Sequence, residues 1–507
     1  MKILLNFFES SKIILCALAF LFGSPVQGQS LFPDTAYIRT FGGPNMDVGR
    51  DVKPTSDGGF ILTGTTSSFG SGNTALYLIK TDSMGIRQWS KAIGGIGIEW
   101  GLAVVQTFDG GYAAAGYTNS FGNGGYDMYL VKTDASGNVL WEKTYGGNDW
   151  DFGHALIQTA DSGLVICGKT YSFGNGNEDA YVVKTDKNGN TLWTRTFGGT
   201  ANDAAHSVVE FSSTSLSIAG ETGSFGNGGK DVFYITLDQD GSSSSQKTFG
   251  STKDDMGFGI EKTLDGGVVI MGETDSMTAG NREELLMKIS ADTLEWLRVF
   301  NGSGVETGAA VKQKSNGDFI TCGSTTSNGL GGNALHMMMI NSGGWWLSGP
   351  AFGGTGDEMG SSLCLAPNKK IAFIGSTTTA TYTQGLEDVY FILLKNDSIV
   401  MNYTLSVVSF EDTLSPLSVQ ELPSQANVHL FPLPMVESTT LTIGNWGSLG
   451  IRSAALKLFD TMGREVLSAE ITNSKYEIKR GQMNAGIYFY SVSSASGLIA
   501  GGKLVIQ

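Results

Sequence analysis

The chain has 507 residues, 71 of them glycine and only 10 proline, with 48 acidic side chains against 33 basic ones and a formal charge of −15. That balance argues against a nucleic-acid partner, which requires clustered Lys and Arg, and it favours solubility outside the cell. Four cysteines without paired spacing imply no disulfide framework.

Lys2 and Lys12 flank a start that runs into the apolar stretch from Ile13 to Phe22, followed by Val26-Gln27-Gly28. This pattern predicts a secretory signal peptide over residues 1–28, cut before Gln29. Cys16 follows Leu15, where a lipidation site wants a small residue, so no lipid is assigned. The mature chain keeps Cys167, Cys322 and Cys364, each in a β-rich context that uses cysteine as a small apolar residue. No later segment is long and apolar enough to span a membrane.

From residue 29 to residue 405 one word recurs at intervals of about 52 residues. Its anchors are Phe41, Ile93, Tyr145, Phe197, Phe249, Phe300 and Phe352, most followed by a glycine pair. Six residues after each anchor stands a carboxylate: Asp47, Glu99, Asp151, Asp203, Asp255, Glu306 and Glu358. Further on comes an unbroken glycine column, Gly64, Gly116, Gly168, Gly220, Gly272, Gly323 and Gly375, and two residues later a threonine.

Within the second repeat the pattern predicts strands over Leu102–Thr107, Tyr112–Thr118, Met128–Thr133 and Val139–Tyr145, with Asp109-Gly110-Gly111 as a tight turn. Four strands per repeat and seven repeats predict an all-β fold, a seven-bladed β-propeller. Ala36 to Thr40 copies the fourth-strand pattern and is expected to complete the last blade, in competition with Ile399 to Leu405. Asp, Gly and Trp recur before the fourth strand as Asp82/Gly85/Trp89, Asp134/Gly137/Trp141 and Asp186/Gly189/Trp193. This column resembles the tryptophan-docking motif of quinoprotein propellers, which implies indoles packed between blades.

Residues 406–427 read as a linker, and residues 428–507 as a separate module. Its motifs are Val428 to Pro434, Thr439 to Ile443, Leu456 to Val466, Gly486 to Val492 and Gly502 to Ile506. In that order they resemble the type A C-terminal sorting domain of the type IX secretion system of Bacteroidota, although Phe431 and Leu433 depart from the usual Tyr-Pro-Asn-Pro opening. The resemblance implies a small C-terminal β-sandwich, the type IX secretion machinery as partner, and a secreted or outer-membrane surface location. Alternating Leu456 and Leu458, and Ile487 and Phe489, independently read as half-buried strands.

The repeated carboxylates read as turn framework, with calcium held in the Asp/Asn/Gly-rich loops as the alternative. Positions that vary inside the regular frame are the better site candidates. Nine residues after the anchors stand Arg50, His154 and His206, and five after them Trp150, Asn202 and Asp254. These six are expected around one mouth of a central channel, where aromatic faces and polar groups suit a glycan or protein ligand. No nucleophile motif, metal-ligand spacing or phosphate-cradling loop is present, and no catalytic residue is assigned. The reading is therefore a secreted or cell-surface binding propeller, with an extracellular polysaccharide lyase or hydrolase and a structural adhesion component as alternatives.

Overall fold

Each repeat folds as an antiparallel meander because short apolar runs are punctuated by turns that need positive φ. Gly110, at φ +84°, closes the hairpin between Glu99–Gln106 and Tyr112–Thr118 with its N–H on the Thr107 carbonyl at 2.8 Å. The computed structural model describes residues 36–275, 281–327, 331–394, 408–410, 428–431, 435–443, 453–460, 465–481, 483–494 and 497–506. The expected signal peptide and the competing strand from Ile399 to Leu405 lie outside the described residues.

Seven sheets follow in chain order, numbered here from the first complete repeat. Sheet 1 runs Asp47–Pro54, Phe60–Thr66, Ala75–Thr81, Arg87–Ile93. Sheets 2 to 5 repeat this order, opening on Glu99–Gln106, Asp151–Gln158, Asp203–Ser212 and Asp255–Lys262, and sheet 6, opening on Glu306–Gln313, splits its fourth strand into Trp346–Ser348 and Ala351–Phe352. Sheet 7 has Glu358–Leu365, Ile371–Thr377 and Asp388–Leu394 and takes Ala36–Phe41 as its fourth strand, antiparallel to Asp388–Leu394. Val408–Phe410, inside the segment read as linker, adds a fifth strand parallel to Ala36–Phe41.

One bond recurs at all seven junctions between sheets. The N–H of each repeat carboxylate residue donates to a carbonyl just before the third strand of the preceding sheet: Glu99 to Thr74, Asp151 to Tyr126, Asp203 to Glu178, Asp255 to Lys230, Glu306 to Arg282 and Glu358 to Asn333. The seventh bond, from Asp47 to Glu387 at 2.7 Å, joins the last sheet to the first and leaves no open end.

Neighbouring sheets cover one another on both faces, so the inner strands are continuous apolar runs. Phe60–Thr66 and Asp127–Thr133 are buried at every position. Between sheets 2 and 3, Met128 and Leu130 pack against Leu156, Ile166 and Tyr181, each fully buried side chain contributing about 1.5–3 kcal/mol. The tryptophan column docks between sheets as its resemblance implied. Trp89 lies under the turn at Gly137, Trp141 under Gly189 and Trp193 under Gly241, and a Cβ at Gly137 would stand 2.8 Å from the Trp89 ring.

Residues 414–507 form a second unit with its own core. One sheet holds Val428–Phe431, Ser438–Ile443 and Lys475–Lys479, and the other holds Glu465–Ile471, Ala454–Phe459, Gly486–Ser494 and Gly497–Ile506. Leu441, Ile443 and Ile478 of the first meet Leu456, Leu458, Val492 and Leu504 of the second. Ser438–Ile443 alternates between buried and half-buried positions, the period of a strand with one face inward. The side chains of Ile487 and Phe489 lie outside the described residues.

Candidate ligand-binding site

The site is built on a β-bulge repeated in every sheet. In the pairing of first with second strands the register skips one residue between Gly49 and Asp51, Gly101 and Ala103, Gly153 and Ala155, Ala205 and Ser207, Gly257 and Gly259, Gly308 and Ala310, and Gly360 and Ser362. The skipped residues are Arg50, Leu102, His154, His206, Phe258, Ala309 and Ser361, the variable column of the sequence. They sit mid-strand rather than at the strand start, because the strand already begins at the carboxylate. A bulge re-aims its extra side chain, and all seven line a central cavity of about 210 Å³.

The invariant glycines are the other half of this device. A Cβ at Gly168 would stand 1.9 Å from the Phe152 carbonyl oxygen, and the equivalent distances at Gly64, Gly116 and Gly375 are 1.8, 1.7 and 1.6 Å. None of these glycines has positive φ, so close strand approach beside the bulge is what requires them.

The cavity wall is uneven. His154 stacks on His206 with centroids 5.1 Å apart and planes at 15°, and His206 packs on Phe258 at 5.0 Å. His154 Nδ1 lies 2.9 Å from the Ala205 carbonyl oxygen, and His206 Nε2 lies 3.5 Å from Glu221 Oε2. Burial, reinforced by the charge of His206, pushes the His154 pKa down to about 3. Arg50 extends over the Trp100 ring at 5.4 Å.

Arg50, His154 and His206 thus come together, whereas Trp150, Asn202 and Asp254 are not part of the cavity lining. Those three precede the first strands of their sheets. Asn202 bridges to Glu178 of the preceding sheet, and Asp254 Oδ1 accepts the Lys230 N–H at 2.8 Å. Trp150 is 48% exposed.

Around Trp150 lies an aromatic cluster that the sequence reading did not assemble. Trp100 stacks on Tyr117 at 6.0 Å, and Tyr117 meets Phe152 edge-on at 4.9 Å. Trp150 contacts Tyr126, Phe152 and Tyr171 at 5.9, 6.3 and 6.1 Å. Lys169 Nζ lies 5.5 Å from the Phe152 ring centre and pairs with Glu178 at 3.0 Å. Arg50 over Trp100 joins this cluster to the cavity wall. Trp100 and Phe152 share one column of the repeat, and the other members, Tyr117, Tyr126, Trp150 and Tyr171, come from four further columns.

The repeated carboxylates are buried and face inward to the protein's own donors. Asp47, Asp151 and Asp203 each accept the N–H four residues earlier, from Gly43, Gly147 and Gly199, at 2.8–2.9 Å, and a hydroxyl from Ser68, Ser172 or Ser224. Glu99, Glu306 and Glu358 do the same with Gly95, Gly302 and Gly354, adding Thr118, Thr325 and Thr377. Asp255 accepts the Ser251 N–H at 2.7 Å. Among the described residues no three His, Cys, Asp or Glu side chains gather as metal ligands.

A second carboxylate column, Asp127, Asp179, Asp231 and Asp388, opens third strands and accepts loop N–H groups from Asn123, Asn175, Asn227 and Gln384. Its even spacing in the first three copies was readable in the sequence. Asp388 faces Asp47 across Gly42, where a Cβ would touch both carboxylates, and each of the two keeps one buried oxygen without a donor. Burial, with the neighbouring Asp47 and Glu387 charges, raises the Asp388 pKa to about 6.

Residues 429–507 match the family described as the secretion system C-terminal sorting domain. They are a type IX sorting domain. The sorting domain directs the chain to the cell surface or beyond it, and makes the type IX machinery its partner. Among the described residues no helix is long and apolar enough to cross a membrane. The regulatory protein FlaEY of Caulobacter vibrioides is 27% identical over 184 residues, 31% of this chain and 19% of that protein. The chain therefore spans less than a fifth of that curated relative. PorZ, a surface component of the type-IX secretion system of Porphyromonas gingivalis, superposes with TM-score 0.45 at 13% identity, over 92% of this chain and 60% of PorZ. YCF48 bound to D1 peptide gives 0.43 at 10% identity, over 73% of this chain and 97% of that one.

Proposed function

We propose that the chain is a seven-bladed β-propeller carried to the cell surface by a C-terminal β-sandwich, and that it binds a glycan over the aromatic sector of blades 2 and 3. The observation that carries this reading is the cluster of Trp100, Tyr117, Tyr126, Trp150, Phe152 and Tyr171, with Trp150 half exposed. Aromatic faces stack on the apolar faces of sugar rings, and the Lys169–Glu178 pair at the border supplies polar contacts. The repeated carboxylates belong to the framework, since their oxygens hold turns and their own N–H groups hold the next blade. The test is an immobilised-glycan screen with the full-length protein. Retention of at least one glycan, lost in Trp100→Ala and Trp150→Ala, is expected; identical binding by wild type and both variants overturns the reading.

One observation favours a second reading, an extracellular hydrolase or lyase. Glu273, buried with Oε2 lacking a donor, has its pKa raised to about 7 by burial, while Glu221 on the adjacent blade is held near 2 because His206 and Lys230 outweigh its burial. Carboxyls pushed apart in this way suit acid and base roles. Release of reducing or unsaturated ends from a bound polysaccharide, lost in Glu273→Gln, would establish it.

A further inference from the structure

The two imidazoles lining the central cavity stand in a run of bulge positions that otherwise carry arginine or uncharged side chains, and His154 is fixed in one tautomer. Its Nδ1 is 2.9 Å from the Ala205 oxygen, and a carbonyl oxygen only accepts hydrogen bonds. The proton therefore sits on Nδ1, and Nε2 carries the lone pair. The ring lines the cavity, so Nε2 is the nitrogen left for a ligand.

We infer that the central cavity reads a hydroxyl group through His154 Nε2, so that the glycan is uncharged where it enters the cavity. This rests on the glycan-binding reading above. A hydroxyl donates to the lone pair, whereas a carboxylate, sulfate or phosphate would oppose it with lone pairs of its own. Burial keeps the ring neutral, helped by the stacked His206 and by Lys169 on the second strand of its own blade, while Glu221, which opposes them, is itself engaged by Lys230 at 2.6 Å. Of the cations lining the cavity, Lys53 pairs with Asp51 at 2.7 Å and Lys312 with Glu261 at 2.5 Å, and Arg50 lies over the Trp100 ring. The stack from His154 through His206 to Phe258 gives this acceptor a fixed position on an apolar wall.

The experiment is calorimetric titration of the full-length protein with maltohexaose, cellohexaose, xylohexaose and hexagalacturonate, at about pH 5.5 and about pH 8. Binding of a neutral hexasaccharide is expected, with affinity unchanged within about twofold across that range because the imidazole does not titrate there. His154→Gln, which keeps an acceptor, should stay within about threefold of wild type, and His154→Leu should lose about tenfold, the worth of one hydrogen bond to a ligand. Melting curves identify any variant that fails to fold, and His154→Gln then carries the comparison against wild type. Tighter binding of hexagalacturonate, affinity that rises as pH falls, or His154→Leu equal to wild type in a protein that still needs Trp150 would overturn the inference while leaving the glycan reading intact. Failure of all four sugars, together with no effect of Trp150→Ala on the glycan screen, would remove both.

Discussion

Asp51 Oδ1 accepts the Ser362 hydroxyl at 2.8 Å across 311 residues of chain, while Asp51 Oδ2 accepts the Val104 N–H at 3.1 Å on the other side. One buried carboxylate in the channel wall therefore joins sheet 1 to both its neighbours, at the seam where the last repeat meets the first. Lys53 and the Val52 N–H complete its set of donors. Asp51→Ala should cost about 1–3 kcal/mol by stranding these donors, and Ser362→Ala about 1 kcal/mol. In a double-mutant cycle followed by denaturant unfolding, the two losses should add to less than their sum; strict additivity would mean that the seam is held elsewhere.

The glycine column predicts a steric rather than a conformational penalty. Gly168→Val places side-chain atoms against the Phe152 carbonyl, 1.9 Å from where the first of them would begin, and should cost roughly 1–3 kcal/mol or more by overpacking. Gly168→Ala should already lower the melting temperature, since its φ is ordinary and only the contact opposes it. An unchanged melting temperature in both variants would show that the strands separate there without cost.

Asp388 should make stability depend on pH in the direction opposite to an ion-paired carboxylate. Its folded pKa, raised to about 6 from 3.8, means that the folded protein holds the proton more tightly than the unfolded chain. Its contribution is fully present below about pH 4 and is lost as pH rises through about 6, a loss of up to about 3 kcal/mol. Asp388→Asn should therefore melt above wild type at about pH 8 and level with it at about pH 4. A difference of equal size at both values would show that the Asp47–Asp388 pair carries no such linkage.

Passage from the periplasm to the cell surface should depend on the sorting domain. A chain lacking residues 428–507 should accumulate folded in the periplasm, detected by cell fractionation and protease resistance, because those residues carry the match to the secretion family. Appearance of the shortened chain at the cell surface would place the signal elsewhere.

Much of the frame was legible because each sheet repeats the same hairpins: Tyr112–Thr118 and Val139–Tyr145 begin and end where the sequence pattern puts them. The first strand was read three residues short, from Leu102 instead of Glu99, because the carboxylate looks like a turn residue although it pairs with Thr118 of its own sheet. The bulge at His154 was invisible as such, since one extra residue in a strand leaves alternation looking continuous unless the partner is known. The buried Lys80, Lys132 and Lys184, paired to Asp57, Asp109 and Asp161 of the hairpin turns, also escaped notice, because a lysine in a third strand reads as solvent-facing until the next sheet covers it. The aromatic sector was missed for a related reason. Trp100, Tyr117 and Tyr126 occupy three different columns of the repeat and meet only after the meander folds.

Trp150 and Asp151 are adjacent in sequence and divided in task, and they give the most direct test of the account. Trp150→Ala should remove glycan retention with little change in melting temperature, because a half-exposed ring contributes mainly stacking. Asp151→Ala should retain the glycan but cost about 1–3 kcal/mol of stability, because the Gly147 N–H and Ser172 hydroxyl lose their acceptor. Measuring affinity and melting temperature side by side on the two variants decides it. The reverse pattern, a silent Trp150→Ala with binding lost in Asp151→Ala, would contradict a glycan platform on the aromatic sector.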